Sequence, residues 1–532
     1  LWNARLYPVA PTRDESLELV LWMQTPGAAA PDAVARWRAA PRLSLGESYV
    51  QADVRRLVRE MGDIEDAVRA RRFYAGLEQE RPADELLPLL GSGADVPRRA
   101  RLVADWLEAT IDPWLPIRGY RALAISSGAS RAAEERRWQD RAFSSLARLV
   151  RAHTPQMAFA GLPKTVARPT AIVRTAARID LGGGWTDTPP YSLERGGTVL
   201  NAAVSLWGEY PIVVQAELLP EPGLLLECRD IEATIRPQLA GQVLNYANPG
   251  DPFALSKAAL VYLGFIPADS APDAPITDLL RPLGGGLRVS TSTTIPRGSG
   301  LGTSSILAGA ILQCLANLCG QQIAPADLFD QVLCLEQMIT TGGGWQDQVG
   351  GLVGGLKLIR TQPGLPQVAQ VSPVPLSPDM RHALDTRLRL VYTGQRRLAK
   401  NLLRTIMGRY MARDAEMVAM LADIAALAQE MHAALLAEDW ATLGQLVGQH
   451  WEINKRMDPG CTNPFIDNLL DLCAPYTLGA KLSGAGGGGF AILLAKDEEA
   501  GRELDRQVQA RYPRGEVRVW PCLVIDKGMD MT

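Results

Sequence analysis

Histidine is scarce in this sequence. The four present, His153, His382, His432 and His450, stand far apart in 532 residues and share no metal-ligand spacing. A histidine-built metal centre is therefore excluded, and each reads as structural or exposed rather than catalytic. Cysteine excludes more: none of the seven forms a CxxC pair, so a zinc ribbon and a dithiol redox motif are both missing. Their odd number and apolar settings, as in LQCLANLC, predict buried reduced thiols and a cytoplasmic location. An excess of positive charge is missing too, since 55 Lys and Arg stand against 58 Asp and Glu. The basic runs RRARL (98–102) and GQRRLAK (394–400) are short, lack interleaved aromatics, and read as solvated helix faces. Nucleic acid is not an expected partner. No charge-free apolar stretch reaches the length of a bilayer span and no signal-peptide pattern is present, so no membrane association is expected. The chain opens at Leu1 in LWNARLYPV, without methionine, which reads as a piece cut from a longer polypeptide.

What remains is the composition of a globular protein, 47% hydrophobic and 21% charged, with a length that predicts two or three domains. Residues 1–45 mix short apolar runs with Pro and Gly (TPGAAAPDA) and read as strand remnants and loops of a truncated upstream domain. Residues 46–165 turn helical. ADVRRLVREMGDIEDAVRARRFYAGL and PRRARLVADWLEATI space apolar residues three and four apart, which predicts an α-helical linker domain. HTPQMAFAGLPKTVARPT (153–170) reads as a Pro/Gly linker closing it. Strand-like AIVRTAARIDL and TVLNAAVSLWGEYPIVVQAELL then open an α+β half over 166–375, ending near GGLKLI. RLRLVYTGQ begins a second α+β half over 376–532, with long helices across 396–450 and a strand in GGFAILLAK.

Glycine gathers in three distant segments: RIDLGGGWTD (178–187), PRGSGLGTSS (296–305) and KLSGAGGGGF (481–490). The middle one joins the predicted strand GLRVSTSTTIP to the apolar run ILAGAILQCLANLCG, which predicts a buried helix. Such a turn presents unpaired N–H groups at the positive end of the helix dipole, a setting for an anion. Thr303, Ser304 and Ser305 place hydroxyls there, able to cap the helix or to meet a metal and phosphate. No Lys follows the last glycine, so the segment is not a Walker A loop. LEQMITTGGGWQDQVGG adds two acids eleven residues apart, Glu336 in an apolar helical context and Asp347 behind Gly342, Gly343 and Gly344. Read singly, a helical Glu is a solvated residue and an Asp after glycine is a turn cap. Together with a phosphate nest they match what phosphoryl transfer needs: a carboxylate for Mg²⁺ and a group to take the proton of the attacking hydroxyl.

The middle segment resembles PxxxGLGSS, the phosphate loop of the galactokinase, homoserine kinase, mevalonate kinase and phosphomevalonate kinase (GHMP) superfamily. Pro296, Gly298, Gly300, Leu301, Gly302 and Ser304 match in place, and Thr303 stands where serine is usual. The resemblance covers roughly residues 165 to 532 and implies an α+β fold of two lobes, preceded here by the mainly α-helical domain. It implies ATP binding by Gly298, Ser299, Gly300, Leu301, Gly302, Thr303, Ser304 and Ser305, with Gly484, Gly486 and Gly487 of the third segment against them. Lys481 reads either as added charge or as a surface residue. By the same resemblance Glu336 and Ser304 hold Mg²⁺ and Asp347 is the catalytic base.

RIDLGGGWTD aligns without gaps on the galactokinase segment RVNLIGEHTD, which implies Arg178 as a catalytic arginine and Asp187 as a sugar-binding aspartate. Gly183, Gly184 and Trp185 complete the substrate segment. Gly184 and Trp185 replace a Glu-His pair that meets the hydroxymethyl group of galactose. The replacement is expected to leave an apolar pocket for a methyl, and Gly184→Glu to restore some acceptance of the hydroxyl if the new carboxylate reaches it without clashing. The stretch RIDLGGGWTDTPPYSLERGGTVLNAAV with GGGWQDQVGG is closely similar to the L-fucokinases. That implies an ATP- and Mg²⁺-dependent sugar kinase making fucose 1-phosphate from L-fucose, a salvage step toward GDP-fucose. It leaves open a homo-oligomer and an upstream nucleotidyltransferase domain in the parent chain. Heptose or heptose-phosphate kinases, with segments resembling GGGGTD and QDQ, are the nearest rival. A non-catalytic sugar-binding regulator is the rival of another class, and the presence of Arg178, Glu336 and Asp347 argues against it.

Overall fold

The computed structural model describes residues 2–12, 14–16, 32–128, 131–153, 165–248, 250–339, 343–395 and 399–532. Most of the TPGAAAPDA loop, the core of the Pro/Gly linker, Gly342 and part of GQRRLAK lie outside the described residues. Two compact units can be told apart, one comprising Leu1–Ala75 and Leu89–Val103, the other Gly76–Pro88 and Ala104–Thr532. In the first, Tyr7–Pro8 pairs antiparallel with Arg42–Leu43, and Ser44 opens the helix Leu45–Gln51 through a capping box with Glu47. Its buried ion pair joins Arg99 to Asp66, with Arg99 Nη1 also donating to the Leu90 carbonyl at 2.6 Å.

The second unit carries the glycine segments. It begins with helices, of which Trp114–Ser127 and Ala132–His153 pack together and stack Tyr120 on Trp138 at 5.8 Å. Three sheets follow. The six-stranded one runs in the order Met529–Met531, Thr170–Thr175, Ile212–Leu219, Gly286–Thr293, Leu224–Cys228, Ala233–Ile235, with one parallel pairing between Leu224–Cys228 and Gly286–Thr293. Residues in Thr170–Thr175 alternate between buried and half-buried, as expected where only one face meets the core. Ala177–Gly182 and Thr198–Leu206 are buried along their whole length, so both faces of that strand pair are covered. Their sheet also holds Gln370–Pro373, Leu356–Arg360 and Cys522–Val524. A four-stranded sheet (Thr477–Leu482, Phe490–Ala495, Leu388–Tyr392, Arg518–Trp520) forms most of the second half. The chain does not keep to a linear division at 375/376. Cys522–Val524 pairs with Thr198–Leu206, and Met529–Met531 pairs with Thr170–Thr175.

The apolar run after the middle glycine segment forms the helix Thr303–Leu318, almost wholly buried against the strands Thr170–Thr175 and Ile212–Leu219. Ala415–Leu436 is long and apolar enough, by length and composition, to cross a bilayer. It carries Asp423 and Glu430, buries Met417, Leu421, Ile424, Ala428 and Met431, and packs on Ala177–Gly182 and Thr198–Leu206 as a core helix does.

Glu194, seven residues beyond Asp187, is where the helical segment meets both halves. Its carboxylate accepts from Tyr410 Oη at 2.7 Å, Arg413 Nη1 at 2.6 Å and Arg118 Nη2 at 3.3 Å, with little water access to any charged partner. Burial alone would raise its pKa, but Arg413, Tyr410 and Arg118 hold it below the usual carboxylate range. Glu194→Ala would leave Arg118 and Arg413 with only the exposed Glu80 as counter-charge, at 2.9 and 3.3 Å, and a cost somewhat below the roughly 3–5 kcal/mol of a fully stranded buried charge is expected. Thermal unfolding that leaves this variant at the wild-type Tm would show that water screens the cluster after all.

Candidate active site

The first glycine segment leaves the strand Ala177–Gly182 through a register shift between Asp180 and Gly182. Gly183 sits at φ +89°, and a Cβ there would run into the Thr198 carbonyl, so the segment turns where only glycine fits. Its N–H donates to His450 Nε2 at 3.0 Å. Trp185 holds φ +87° while buried, a conformation that costs a bulky residue about 1–3 kcal/mol and marks functional segments. The turn aims Asp187 inward at 1% exposure. Asp187 Oδ1 accepts from the Trp185 N–H and Oδ2 from the Gln346 N–H, each at 3.2 Å.

The middle segment alternates left-handed glycines, with Gly298, Gly300 and Gly302 at φ +72°, +82° and +74°. That alternation turns successive N–H groups toward one side, a nest for an anion at the start of the Thr303–Leu318 helix. Ser299 and Leu301 are buried between them, and the Ser299 carbonyl accepts from the Phe490 N–H at 3.1 Å. A Cβ at Gly302 would lie 3.0 Å from Arg178 Cγ and 3.1 Å from Asp347 Cγ. A Cβ at Gly300 would collide with the Ser483 carbonyl. The cradle is therefore built around the absence of side chains.

Arg178 and Asp347 meet beneath it. Arg178 Nε donates to Asp347 Oδ1 at 2.8 Å, Nη2 lies 2.6 Å from the same oxygen, and Nη1 donates to the Gly300 carbonyl at 2.8 Å. Arg178 is 3% exposed, and although burial opposes its charge, Asp347, Asp180 and Asp187 hold it firmly protonated. Asp347 stands in the first turn of the helix Gln346–Leu352 with its side chain 28% exposed, so one end of the carboxylate faces outward.

Glu336 projects from the Pro325–Met338 helix into the same region and accepts from the Ser305 hydroxyl. Ser304, expected beside Glu336, is exposed at the helix start instead. Successive helical residues point about 100° apart, so only one of the two hydroxyls can face Glu336. Burial pushes the Glu336 pKa up to about 8; the Ser305 hydrogen bond opposes this, and the charges of Asp347 and Asp187 add to it. Asp347 and Asp187 oppose the charge on Glu336, and a hard cation held there would invert that electrostatics. Among the described residues no three His, Cys, Asp or Glu side chains converge on one metal position. A site with one or two protein oxygens fits Mg²⁺, which keeps its waters and the substrate's phosphates as ligands.

The third segment closes the constellation. Gly484, Gly486 and Gly487 take φ +65°, +78° and +76°, and a Cβ at Gly484 would lie 3.1 Å from the Gly300 Cα. Ser483 Oγ donates to the Gly300 carbonyl at 2.7 Å, and Arg178 Nη1 approaches that hydroxyl at 3.3 Å. Lys481 is not a surface residue: it is fully buried and pairs with Asp180 at 3.1 Å. Asp180, Ser483, Gln346 and His450 were not singled out from sequence. An Asp two residues after Arg178 in a fully buried strand run was a legible signal. His450 gave none, because its partner is a backbone N–H far away in the chain. It is neutral, its pKa pushed down to about 3 by burial with Lys481 nearby.

One expectation is overturned. A Cβ at Gly184 would fall on Asp180 Oδ2 and lie 3.5 Å from Gln346 Nε2, so the space beside Gly184 is polar and occupied. Any side chain at position 184 would have to displace the Asp180 carboxylate at its first carbon, so Gly184→Glu is not expected to restore a hydroxyl contact.

Residues 275–355 match the GHMP kinases N terminal domain and residues 431–514 match GHMP kinases C terminal. The chain is 37% identical over 364 residues to an L-fucokinase/L-fucose-1-P guanylyltransferase of Bacteroides fragilis, covering 68% of this chain and 38% of that protein. It is also 37% identical over 357 residues to a bifunctional fucokinase/GDP-fucose pyrophosphorylase of Arabidopsis thaliana, covering 65% of this chain and 32% of that protein. The chain thus spans only about a third of the length of these relatives. A D-glycero-D-manno-heptose 1-phosphate kinase structure from Bacteroides thetaiotaomicron superposes with a TM-score of 0.51 at 19% identity, covering 68% of this chain and 98% of that one, a likeness of fold.

Burial, with Asp347 adding to it, pushes the Asp187 pKa up to about 7. Between its ordinary value near 4 and pH 7 the native state holds a proton that unfolding releases, so this group's contribution to stability falls as pH rises. The fall is at most about 1.4 kcal/mol per pH unit. Asp187→Asn, which cannot ionise, is expected to gain stability relative to wild type in urea melts run from pH 5 to pH 8. A difference that stays constant with pH would mean Asp187 is ionised throughout.

Proposed function

The chain belongs to the GHMP kinase superfamily, and we propose from the arrangement of its site that it transfers the γ-phosphoryl group of ATP to the anomeric hydroxyl of L-fucose. The observation that carries the reading is the Arg178–Asp347 pair beneath two glycine loops, in a chain with 37% identity to two proteins named as fucokinases. Asp347, partly exposed and fixed by Arg178, accepts the proton of the attacking hydroxyl. Arg178 orients that carboxylate and adds positive charge where the transferred group becomes more negative. The nest of Gly298, Gly300 and Gly302 holds the phosphates through backbone N–H groups, with the Gly484–Gly487 turn against it. Asp187 fixes the sugar by accepting from its hydroxyls. Glu336, with a hydroxyl of the Thr303–Ser305 turn, would hold Mg²⁺, which supplies charge neutralisation at the phosphates.

The choice of L-fucose rests on the similarity to those relatives, not on an apolar slot beside Gly184. The product would be a sugar 1-phosphate. The second activity in the relatives' names, a guanylyltransferase or pyrophosphorylase, is the reaction class that would consume it.

A coupled assay with ATP, Mg²⁺ and a panel of L-fucose, L-galactose, D-galactose, D-arabinose and a heptose tests the substrate. L-Fucose is expected to give the highest kcat/KM, and a preference for the heptose would transfer the chain to the rival group. Asp347→Asn should lower kcat by roughly 10²–10⁴-fold while sugar binding persists. Near-normal turnover would remove Asp347 from the mechanism. Glu336→Gln should raise the Mg²⁺ concentration needed for half-maximal rate, because a neutral amide holds a hard cation less well. An unchanged Mg²⁺ titration would leave Glu336 as a structural partner of Ser305.

A further inference from the structure

Around the sugar segment, Asp180 Oδ1, His450 Nδ1, Trp345 Nε1 and Gln346 Oε1 are buried and have no hydrogen-bond partner among the described residues. Such atoms occur elsewhere in the chain too, but these four gather around one segment, which points to a polar ligand that satisfies them. Asp180 is the one that carries charge. Its Oδ2 is engaged by Lys481 at 3.1 Å, with Asp and Lys side chains 2% and 0% exposed. Its Oδ1 has no hydrogen-bond donor among the described residues, although the charge of Arg178 also acts on the carboxylate. A clasp serving only to join the strands Ala177–Gly182 and Thr477–Leu482 needs one carboxylate oxygen, so it accounts for Oδ2 and not for Oδ1.

The place of that carboxylate is defined by Gly184. A side chain there would have to enter the space held by Asp180 Oδ2 and approached by Gln346 Nε2, and Gln346 is tied through its N–H to Asp187. Asp180, Gly184, Gln346 and Asp187 are thus neighbours around one small region. An ionised carboxylate oxygen with no donor of its own selects a group that donates, and among neutral ligands that means a hydroxyl.

We propose that Asp180 is a specificity-determining residue whose free Oδ1 accepts a hydrogen bond from one ring hydroxyl of the sugar, while Lys481 holds the carboxylate in place. The inference rests on the sugar-kinase reading above and adds a second carboxylate to Asp187 in recognising the substrate. Lys481 acts through Asp180 and is a positioning residue.

The test compares L-fucose with its 2-, 3- and 4-deoxy analogues in wild type and in the double variant Asp180→Ala/Lys481→Met, which removes the ion pair without leaving a buried charge unpaired. Wild type is expected to lose roughly 10- to 100-fold in kcat/KM on the analogue lacking the contacted hydroxyl. In the double variant that one analogue and the parent sugar should become equal, with KM for the sugar raised and KM for ATP unchanged. If the double variant does not fold, the isosteric Asp180→Asn replaces it, with the same selective loss expected in part. Discrimination against all three analogues that stays as strong as in wild type would overturn the assignment and leave Asp180 a structural clasp. The comparison runs on whichever sugar wild type phosphorylates, so failure of the L-fucose reading shows in wild type alone. A wild type that turns over no sugar removes both readings.

Discussion

A guanidinium with almost no access to water must find its partners inside the protein, and Arg178 finds them in all three distant parts of the chain. Asp347 takes Nε and Nη2, the Gly300 carbonyl takes Nη1, and the Ser483 hydroxyl stands beside it. Breaking such a group from its counter-charge is costly, so the arrangement is enforced by burial itself. The strand that carries Arg178 is covered on both faces, which fixes the guanidinium from behind. Everything else in the site is arranged with respect to that fixed charge.

Glycine supplies the complementary constraint. Backbone can approach Arg178 and Asp347 only because Gly302 has no side chain, and the loops around Gly300 and Gly484 meet only because neither has one. The contact of the Gly300 and Ser483–Gly484 turns joins residues 183 positions apart, and any Cβ would separate them. The loops are therefore rigid through crowding, although glycine is intrinsically the freest residue. A rigid nest needs no reorganisation when charge develops on a bound group, which is where electrostatic stabilisation is most effective.

Much of this was legible in the sequence because the features are local. The strand–glycine–helix succession around Gly302, the Glu336–Asp347 spacing and the dense glycines after Lys481 are patterns within a few residues, and backbone physics turns them into turns and helix starts. What was not legible depends on rotation or on long-range company. Ser304 and Ser305 are equivalent on paper, and only helical phase decides which faces Glu336. Lys481 read equally as added charge or as a surface residue, and only Asp180, 301 positions earlier and beside it in the fold, decides between them. The pocket beside Gly184 looked apolar because Trp185 stands next in line, whereas Asp180 and Gln346 fill it from other turns of the chain.

The return of the last strands to the first sheets has a consequence for biosynthesis. Arg174 and Thr532, joined by a side-chain hydrogen bond at the rim of the six-stranded sheet, are 358 positions apart. At about 5–20 residues per second the ribosome needs roughly 20–70 s to supply one after the other. Through that interval Thr170–Thr175 stands as an open sheet edge, able to pair with the strand of another nascent chain. Docking of Met529–Met531 closes it. Yield in a cell therefore depends on how well that edge is shielded while the chain is being made, a demand set by chain order and independent of how stable the finished fold is.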